Sequence, residues 1–271
     1  MFSFKNNRRS VRTNSMFLQN VLPPTNIPPT NIPPTIIPPT IIPPTIIPDT
    51  IIPDTIIPDT ILIVISSKSP NKCLYDCIDN LYKIQIKNST NYKICVVDSD
   101  SNDLTIYENV KSSFPLVEID FVKNKNYEYG AWNYAYSKYP NYDIYMCIQD
   151  SIKINKKIPF NIVNNNNSYI FYHHSGYNSD PPIKNAGIQN LKNCDLNYKP
   201  IIDTNFCLAQ HSSFIVSNSV IKDIFNTLQI PPIDKIGSCF YERNFGLFFI
   251  LKNIITHNMY DFFTKIHGGR I

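Results

Sequence analysis

NYEYGAWNYAYSKYPNYDIYMCIQDS (Asn126 to Ser151) is the stretch on which the reading of this chain turns. It contains a glycine-centred loop, an aromatic helical segment over residues 129–139, and an apolar strand, DIYMCIQDS, that delivers Gln149, Asp150 and Ser151 at its carboxyl end. A strand that is apolar at nearly every position is buried on both faces, as in a parallel sheet covered by helices. Open sheets of that kind bind ligands beyond the carboxyl ends of their strands, so a carboxylate emerging there is placed to meet a metal or a phosphate.

The sequence before this stretch repeats the pattern. ILIVISS (Ile61 to Ser67) is an all-apolar run that ends in two serines, and Leu74, Cys77, Ile78 and Leu81 then recur at helical spacing over residues 71–83. YKICVVDSDSND (Tyr92 to Asp103) is a second buried strand that runs into an acidic turn. A helix over residues 107–113 and a strand over 116–122, LVEIDFV, follow. Four strands alternating with three helices predict an α/β fold with a mostly parallel central sheet and right-handed crossovers. Its first half has the outline of a nucleotide-binding, Rossmann-like arrangement.

The chain of 271 residues divides by composition, because its 22 prolines are crowded near the beginning. Residues 1–20 form a basic arm with Lys5, Arg8, Arg9 and Arg12 and no acid, which reads as a disordered arm or, alternatively, as a transit peptide. Residues 21–60 are eight pentapeptide repeats, from VLPPT and NIPPT to IIPPT and IIPDT. A proline in every five residues rules out helix and makes a poor central strand. The repeats read as an extended or disordered spacer, on the order of 120 Å if stiff at roughly 3.1 Å per residue. Stacking as a β-solenoid would need free amide donors in every rung, and slippage of a short repeated DNA unit is a third origin for the pattern. Residues 61–271 are large enough to bury one substantial core.

The net charge of +4 divides as +4 on the arm, -3 on the repeats and +3 on the rest, a balance that predicts no nucleic-acid partner. No window approaches the length of a transmembrane segment. The seven cysteines are odd in number and mostly set in apolar runs, as expected for buried thiols in a reducing, cytoplasmic compartment. Cys73 and Cys77 share a helical face, but no histidine or second cysteine pair lies near enough in sequence to suggest zinc. The heavy use of Asn, Ile, Lys and Tyr is that of an AT-rich genome, as in some large DNA viruses and protists.

In order and spacing these motifs resemble the GT-A fold of family 2 type glycosyltransferases. VVDSDSND (Val96 to Asp103) is similar to that family's second-strand motif, and NYEYGAWN (Asn126 to Asn133) to its loop of two spaced asparagines, although Glu128 stands at the usual glycine position and the glycine is Gly130. The resemblance covers about 200 residues from Ile61 onward. It implies a nucleotide-sugar donor, a UDP-sugar by preference, and a glycan or protein acceptor. Asp98 would pair with the base, and Ser66, Ser67, Asp100, Asn126, Gly130 and Asn133 would line the donor site.

The fourth strand departs from the pattern. Members of the family carry Asp-x-Asp there, holding Mn2+ or Mg2+ against the diphosphate, whereas this chain offers Gln149, Asp150 and Ser151. Asp150 is the remaining metal ligand that the resemblance implies, with a late histidine, His267, as its partner. Arg243, Lys265 and Arg270 are the basic residues for the donor, and the Gly268–Gly269 pair suits a closing lid. The alternative reading of Asp150 is a helix cap or turn residue after the strand.

The second half is thinner in signals. FCLAQHSSFIVSNSVIKDIFN (Phe206 to Asn226) reads as a strand, a turn capped by Ser217 or Asn218, and a helix, and residues 237–254 as a loop feeding a buried helix whose first turn holds Glu242 and Arg243. The resemblance makes Glu242 the general base of an inverting transfer. Electrostatics alone also favours a carboxylate in a first helical turn. His173 and His174 are further residues that could reach an acceptor. Two other readings stay open: a degenerate fold of this kind that binds without catalysis, and a nucleotidyltransferase.

Overall fold

The computed structural model describes residues 59–266 except 88, 125, 178–180 and 195. The basic arm, the pentapeptide repeats up to residue 58, His267, the glycine pair and Arg270 all lie outside the described residues.

Seven strands form one sheet in the order β3-β2-β1-β4-β7-β6-β8, where β1 is Ile61–Ser67, β2 Tyr92–Asp98, β3 Glu118–Phe121, β4 Ile144–Gln149, β6 Asn167–His174, β7 Cys207–Ser217 and β8 Ile255–Asn258. The first four pair in parallel, as the buried apolar runs predict. β7 then enters antiparallel to both β4 and β6, and β8 returns parallel to β6. Two short strands, β5 (Ile152–Ile154) and β9 (Phe263–Lys265), pair antiparallel as a separate small sheet.

The helices are α1 (Lys72–Asn80), α2 (Thr105–Ser113), α3 (Tyr127–Lys138), α4 (Pro181–Leu191), α5 (Asn218–Thr227) and α6 (Lys235–Leu251). Asn71 caps α1 by accepting the Cys73 amide at 2.8 Å. The helix continues through a wider turn over Leu81–Ile86 before Lys87 stops it with φ +48°.

Successive residues of a strand point to opposite faces, and this parity positions everything that follows. Leu62 and Val64 of β1, Cys95 and Val97 of β2, and Tyr145 and Cys147 of β4 pack with residues of α3, α4, α5 and α6. Ile63 and Ile65, Ile94 and Val96, and Met146 and Ile148 pack on the other side with α1, α2 and the β5–β9 sheet. Burying each such aliphatic side chain stabilises the fold by about 1.5–3 kcal/mol.

Trp132 of α3 is fully buried and donates its indole N–H to Ser212 O of β7 at 2.9 Å, which ties the parallel half to the antiparallel half. Gly246 lets α6 lie directly on β7, because a Cβ there would stand 2.4 Å from Cys207 O and 2.7 Å from Leu208 Cα. Thr60 donates from both its amide and its hydroxyl to the Asp143 carboxylate at 2.8 Å, which joins the entrance of β1 to that of β4.

Candidate functional site

A cleft of about 240 Å³ opens at the carboxyl end of the parallel strands. Ser66 from β1, Ser99 just past β2 and Gln149 from β4 form its floor, and Lys68, Asn124, Tyr127, Glu128, Ile233 and Lys235 close its sides. Ser66 and Gln149 are register partners. β1 connects onward to β2 on one side, while β4 arrives on the other, so the cleft sits at the topological switch point of the sheet. By strand parity its floor belongs to the α3/α6 face.

Gly130 shapes the loop beside the cleft. A Cβ at this position would lie 2.6 Å from Asn126 Cβ and 2.7 Å from Asn124 Oδ1, so only glycine lets the start of α3 approach Asn124 and Asn126 this closely. Asn126 stands at that helix start without capping it through its side chain, and Asn133 follows half-buried two turns along α3.

Glu128, in the first turn of α3, gathers the site. Its Oε1 accepts from Gln149 Nε2 at 2.6 Å, and its Oε2 accepts from Ser238 Oγ of α6 at 3.2 Å. The other end of the Gln149 amide, Oε1, accepts from Lys265 Nζ, and the same ammonium also donates to Ser151 Oγ. A continuous polar chain thus runs from α6 through α3 and the end of β4 to β9.

Asp98 and Asp150 take a different direction from the one expected of them. Both lie on the α1/α2 face by parity and both are buried, at 1% and 5% exposure. The Asp98 carboxylate accepts from the Ser101 amide at 2.8 Å and from the Ser101 and Tyr107 hydroxyls. Asp150 Oδ2 accepts from Ser67 Oγ at 3.0 Å. Burial together with the adjacent Asp98 carboxylate pushes the Tyr107 phenol upward, so it stays a donor. Ser67 therefore belongs to this inner network, whereas Ser66 belongs to the cleft. Asp100 is exposed in the turn with φ +66°.

Glu242 is not in the first turn of its helix. α6 begins at Lys235, because Asp234 caps it by accepting the Gly237 amide at 2.7 Å, and this puts Glu242 in the third turn. Lys235, Ser238 and Glu242 stand three and four residues apart and so share one face of α6, with Lys235 in the cleft and Ser238 on Glu128. Glu242 Oε1 accepts the His211 amide at 2.9 Å. β7 supplies that donor by kinking, since His211 and Ser212 adopt φ +61° and +49° where the pairing with β6 slips. Burial raises the Glu242 carboxyl to about 7, with the nearby Glu128 charge adding to the effect and the His211 amide, Arg243 and Lys235 opposing it.

Arg243 points away from the cleft. Its guanidinium donates to Gly176 O at 3.0 Å and Cys239 O at 2.8 Å and lies over the Tyr177 ring, so it braces the turn after β6. His173 and His174 are exposed at the end of β6 and do not line the cleft. All seven cysteines are free thiols, and burial pushes those of Cys77, Cys95 and Cys147 upward, which leaves them unreactive. The cleft residues that sequence reading did not single out are Lys68, Ser99, Asn124, Tyr127, Ile233 and Lys235, together with Glu128 as an acid. Ser99, Tyr127 and Glu128 lie inside the two quoted motifs without a role assigned to them, the others lie in no pattern, and the folded sheet collects them.

The donor set at positions 149–151 does not fit a divalent cation as arranged. Mg2+ and Mn2+ take oxygen donors and are held by carboxylates, but the only carboxylate here is bonded to Ser67 on the opposite face, and the Gln149 and Ser151 oxygens already accept from an ammonium. Among the described residues no group of three or more His, Cys, Asp or Glu side chains stands together. No described helix is long and apolar enough to cross a membrane.

No protein-family model matches the sequence. No curated protein matches it either. Among solved structures, the chain is similar to S. aureus TarS, with 14% identity and a TM-score of 0.46 over 75% of this chain and 36% of that one. It is similar to the S. cerevisiae mannosyltransferase Ktr4p, with 14% identity and a TM-score of 0.39 over 74% of this chain and 70% of that one. It is also similar to the mannosyltransferase PcManGT from Pyrobaculum calidifontis in complex with GDP-Man and Mn2+, with 10% identity and a TM-score of 0.43 over 74% of this chain and 54% of that one. The chain thus spans about a third of the length of TarS.

Proposed function

We propose that this chain is a GT-A-like glycosyltransferase that moves a sugar from a nucleotide donor to an acceptor hydroxyl, with the donor diphosphate in the cleft at the β1/β4 switch point and Glu242 as general base. The observation that carries this reading is the Glu242 carboxyl, held near neutrality on the same helix face as the cleft residue Lys235. A base with its pKa near the operating pH combines a useful ionised fraction with a useful affinity for the proton.

In the proposed step the acceptor hydroxyl gives its proton to Glu242 as its oxygen bonds to the anomeric carbon of the donor. The bond from that carbon to the terminal phosphate oxygen breaks, and its electron pair leaves with the nucleoside diphosphate. The lysines of the cleft bind and neutralise that leaving group, and Ser66, Ser99 and Asn124 orient it through neutral hydrogen bonds.

One observation favours a second reading, a binding protein without catalysis: Asp98 and Asp150 are both engaged in an internal network. Incubation with UDP- and GDP-sugars and a panel of hydroxyl acceptors separates the two. Release of nucleoside diphosphate coupled to acceptor modification is the expected result. Nucleotide binding without turnover would favour the second reading, and release of pyrophosphate would indicate nucleotidyl transfer instead.

A further inference from the structure

We propose that the apolar groove beside the cleft is the acceptor subsite, and that it takes the Ile-Pro-Pro-Thr repeats of a second copy of this chain, whose threonine hydroxyls receive the sugar. The proposal rests on the transferase reading above and names its acceptor.

The groove, of about 420 Å³, lies between α4 and the segment that joins α5 to α6. Ala186 and Gln189 line it from α4, and Ile230, Pro232, Ile236 and Phe240 from the other side. Its two sides are fastened to each other and to α6, since Asn190 Nδ2 donates to Ile230 O at 3.0 Å and the Tyr241 hydroxyl donates to the same carbonyl. Gly237 lets Pro232 pack onto the start of α6, because a Cβ there would stand 2.7 Å from Pro232 Cβ. The groove is thus preformed, and an occupant need not order it. Ile233 lines both the groove and the cleft, so the two share a wall.

Ile230, Ile233 and Ile236 remain 42%, 82% and 44% exposed around this groove. Apolar surface gathered in this way marks a place where something binds. Asp234 is the single charge among the described lining residues. Such a lining suits proline rings and branched aliphatic side chains better than the hydroxyls of a glycan.

The sequence holds an occupant of that chemistry. All eight pentapeptides between residues 21 and 60 carry proline at the third position and threonine at the fifth, whereas the first, second and fourth positions vary. Threonine is also the only hydroxyl residue in them. The first five repeats have no charge for the Asp234 carboxylate to repel, whereas the last three each set an aspartate beside the threonine. A proline-rich segment is pre-set in an extended form and loses little freedom on docking, and its backbone carbonyls have no partners within the segment. The side-chain amides of Gln189 and Asn193 bring N–H donors to the groove for them.

In the transfer the threonine Oγ bonds to the anomeric carbon and gives its proton to the general base. The bond from that carbon to the diphosphate breaks, and its electron pair leaves with the nucleotide. Thr60 is excluded, because its hydroxyl is held by Asp143.

The test supplies the full chain with UDP- and GDP-sugars and the synthetic peptide NIPPTIIPPT, residues 31–40 of the sequence, and follows the peptide by mass spectrometry. Addition of sugar to both threonines is expected. The same peptide with Thr35→Val and Thr40→Val should gain nothing but should compete with the first for binding. Ile236→Ser, which removes aliphatic surface from the groove, should weaken peptide binding by about 10-fold, the scale of losing one central apolar contact. Nucleotide affinity should stay unchanged in that variant, since Ile236 does not line the cleft. Release of nucleoside diphosphate with a glycan acceptor and an unmodified peptide would overturn the inference and leave the proposed function standing. Unchanged peptide affinity in an Ile236→Ser chain with an intact melting transition would overturn it too. No release of nucleoside diphosphate with any acceptor would remove the inference and the transferase reading together.

Discussion

From β1 to β4 the chain alternates strand and helix and leaves neutral polar side chains, Ser66, Ser99 and Gln149, at the carboxyl end of a parallel sheet. From β6 onward the pairing is mixed, with β7 antiparallel to both neighbours and kinked, and this part brings in Lys235 and Glu242 on α6 and Lys265 on β9. One half builds a floor and the other delivers most of the charge. Regular winding places backbone ends and small polar groups reliably, whereas a carboxyl near neutrality needs a helix pressed against a strand that has been bent to meet it. The halves meet at Glu128, which contacts both Gln149 and Ser238.

The comparison breaks most visibly at Glu242. If the second half carries the chemistry, Glu242→Gln should lower the transfer rate about 100- to 10,000-fold while nucleotide affinity stays within a few-fold. Parallel titration and initial-rate measurements check it, and an unchanged rate would return the chemistry to the first half.

Trp132→Ala probes whether the halves are one cooperative unit. Loss of a fully buried indole that bridges α3 and β7 should cost about 3–5 kcal/mol in a denaturant titration. Fluorescence of the remaining tyrosines and far-UV circular dichroism should still report one transition; two separated transitions would mean that the halves fold independently.

The pH dependence follows with a definite sign. Glu242 has its folded pKa raised to about 7 from 4.5, so the folded state holds a proton that the unfolded chain has released between these values. Stability from this group is therefore full below about pH 4.5 and is lost as pH rises toward 7. Glu242→Gln removes that loss, so the variant should be more stable than the parent above pH 7, by on the order of 2–3 kcal/mol, and equal to it below pH 4.5. A variant that is more stable and less active is what a strained functional group produces; equal melting temperatures at pH 8 would argue against the raised pKa.

The smallest effect lies at the domain entrance. Removing residues 1–58 should leave the melting temperature unchanged, whereas removing Asp59 and Thr60 as well should cost about 1 kcal/mol through the lost bonds to Asp143. Equal stability of the two truncations would leave the boundary at Ile61.

The parallel half was legible because its strands are apolar at nearly every position and its helices keep their spacing. The same property hid the site. A strand buried on both faces shows no alternation, so nothing in DIYMCIQDS says whether Gln149 or Asp150 faces a ligand. The reading favoured the acid, and the fold put the amide in the cleft. Glu242 was identifiable as an acid beside a buried helix, but Asp234 starts that helix earlier than the glycine suggested. Lys68 and Lys235 gave no functional pattern of their own, since isolated lysines are ordinary surface residues. α4 escaped notice because PPIKNAGIQNL opens on prolines and contains a glycine and two asparagines, all weak helix signals.

The Thr60–Asp143 contact has a mechanical side. The chain enters this domain through β1, which lies between β2 and β4 with parallel ladders on both sides. A pull on the residues that precede it would run along the strand and load both ladders in shear, so their bonds would have to give way together. Entry through an edge strand such as β3 or β8 would let them open one at a time. Whatever is attached ahead of residue 59 is thus fastened to a strand held by ladders on both sides, and the cleft floor lies at the far end of that strand.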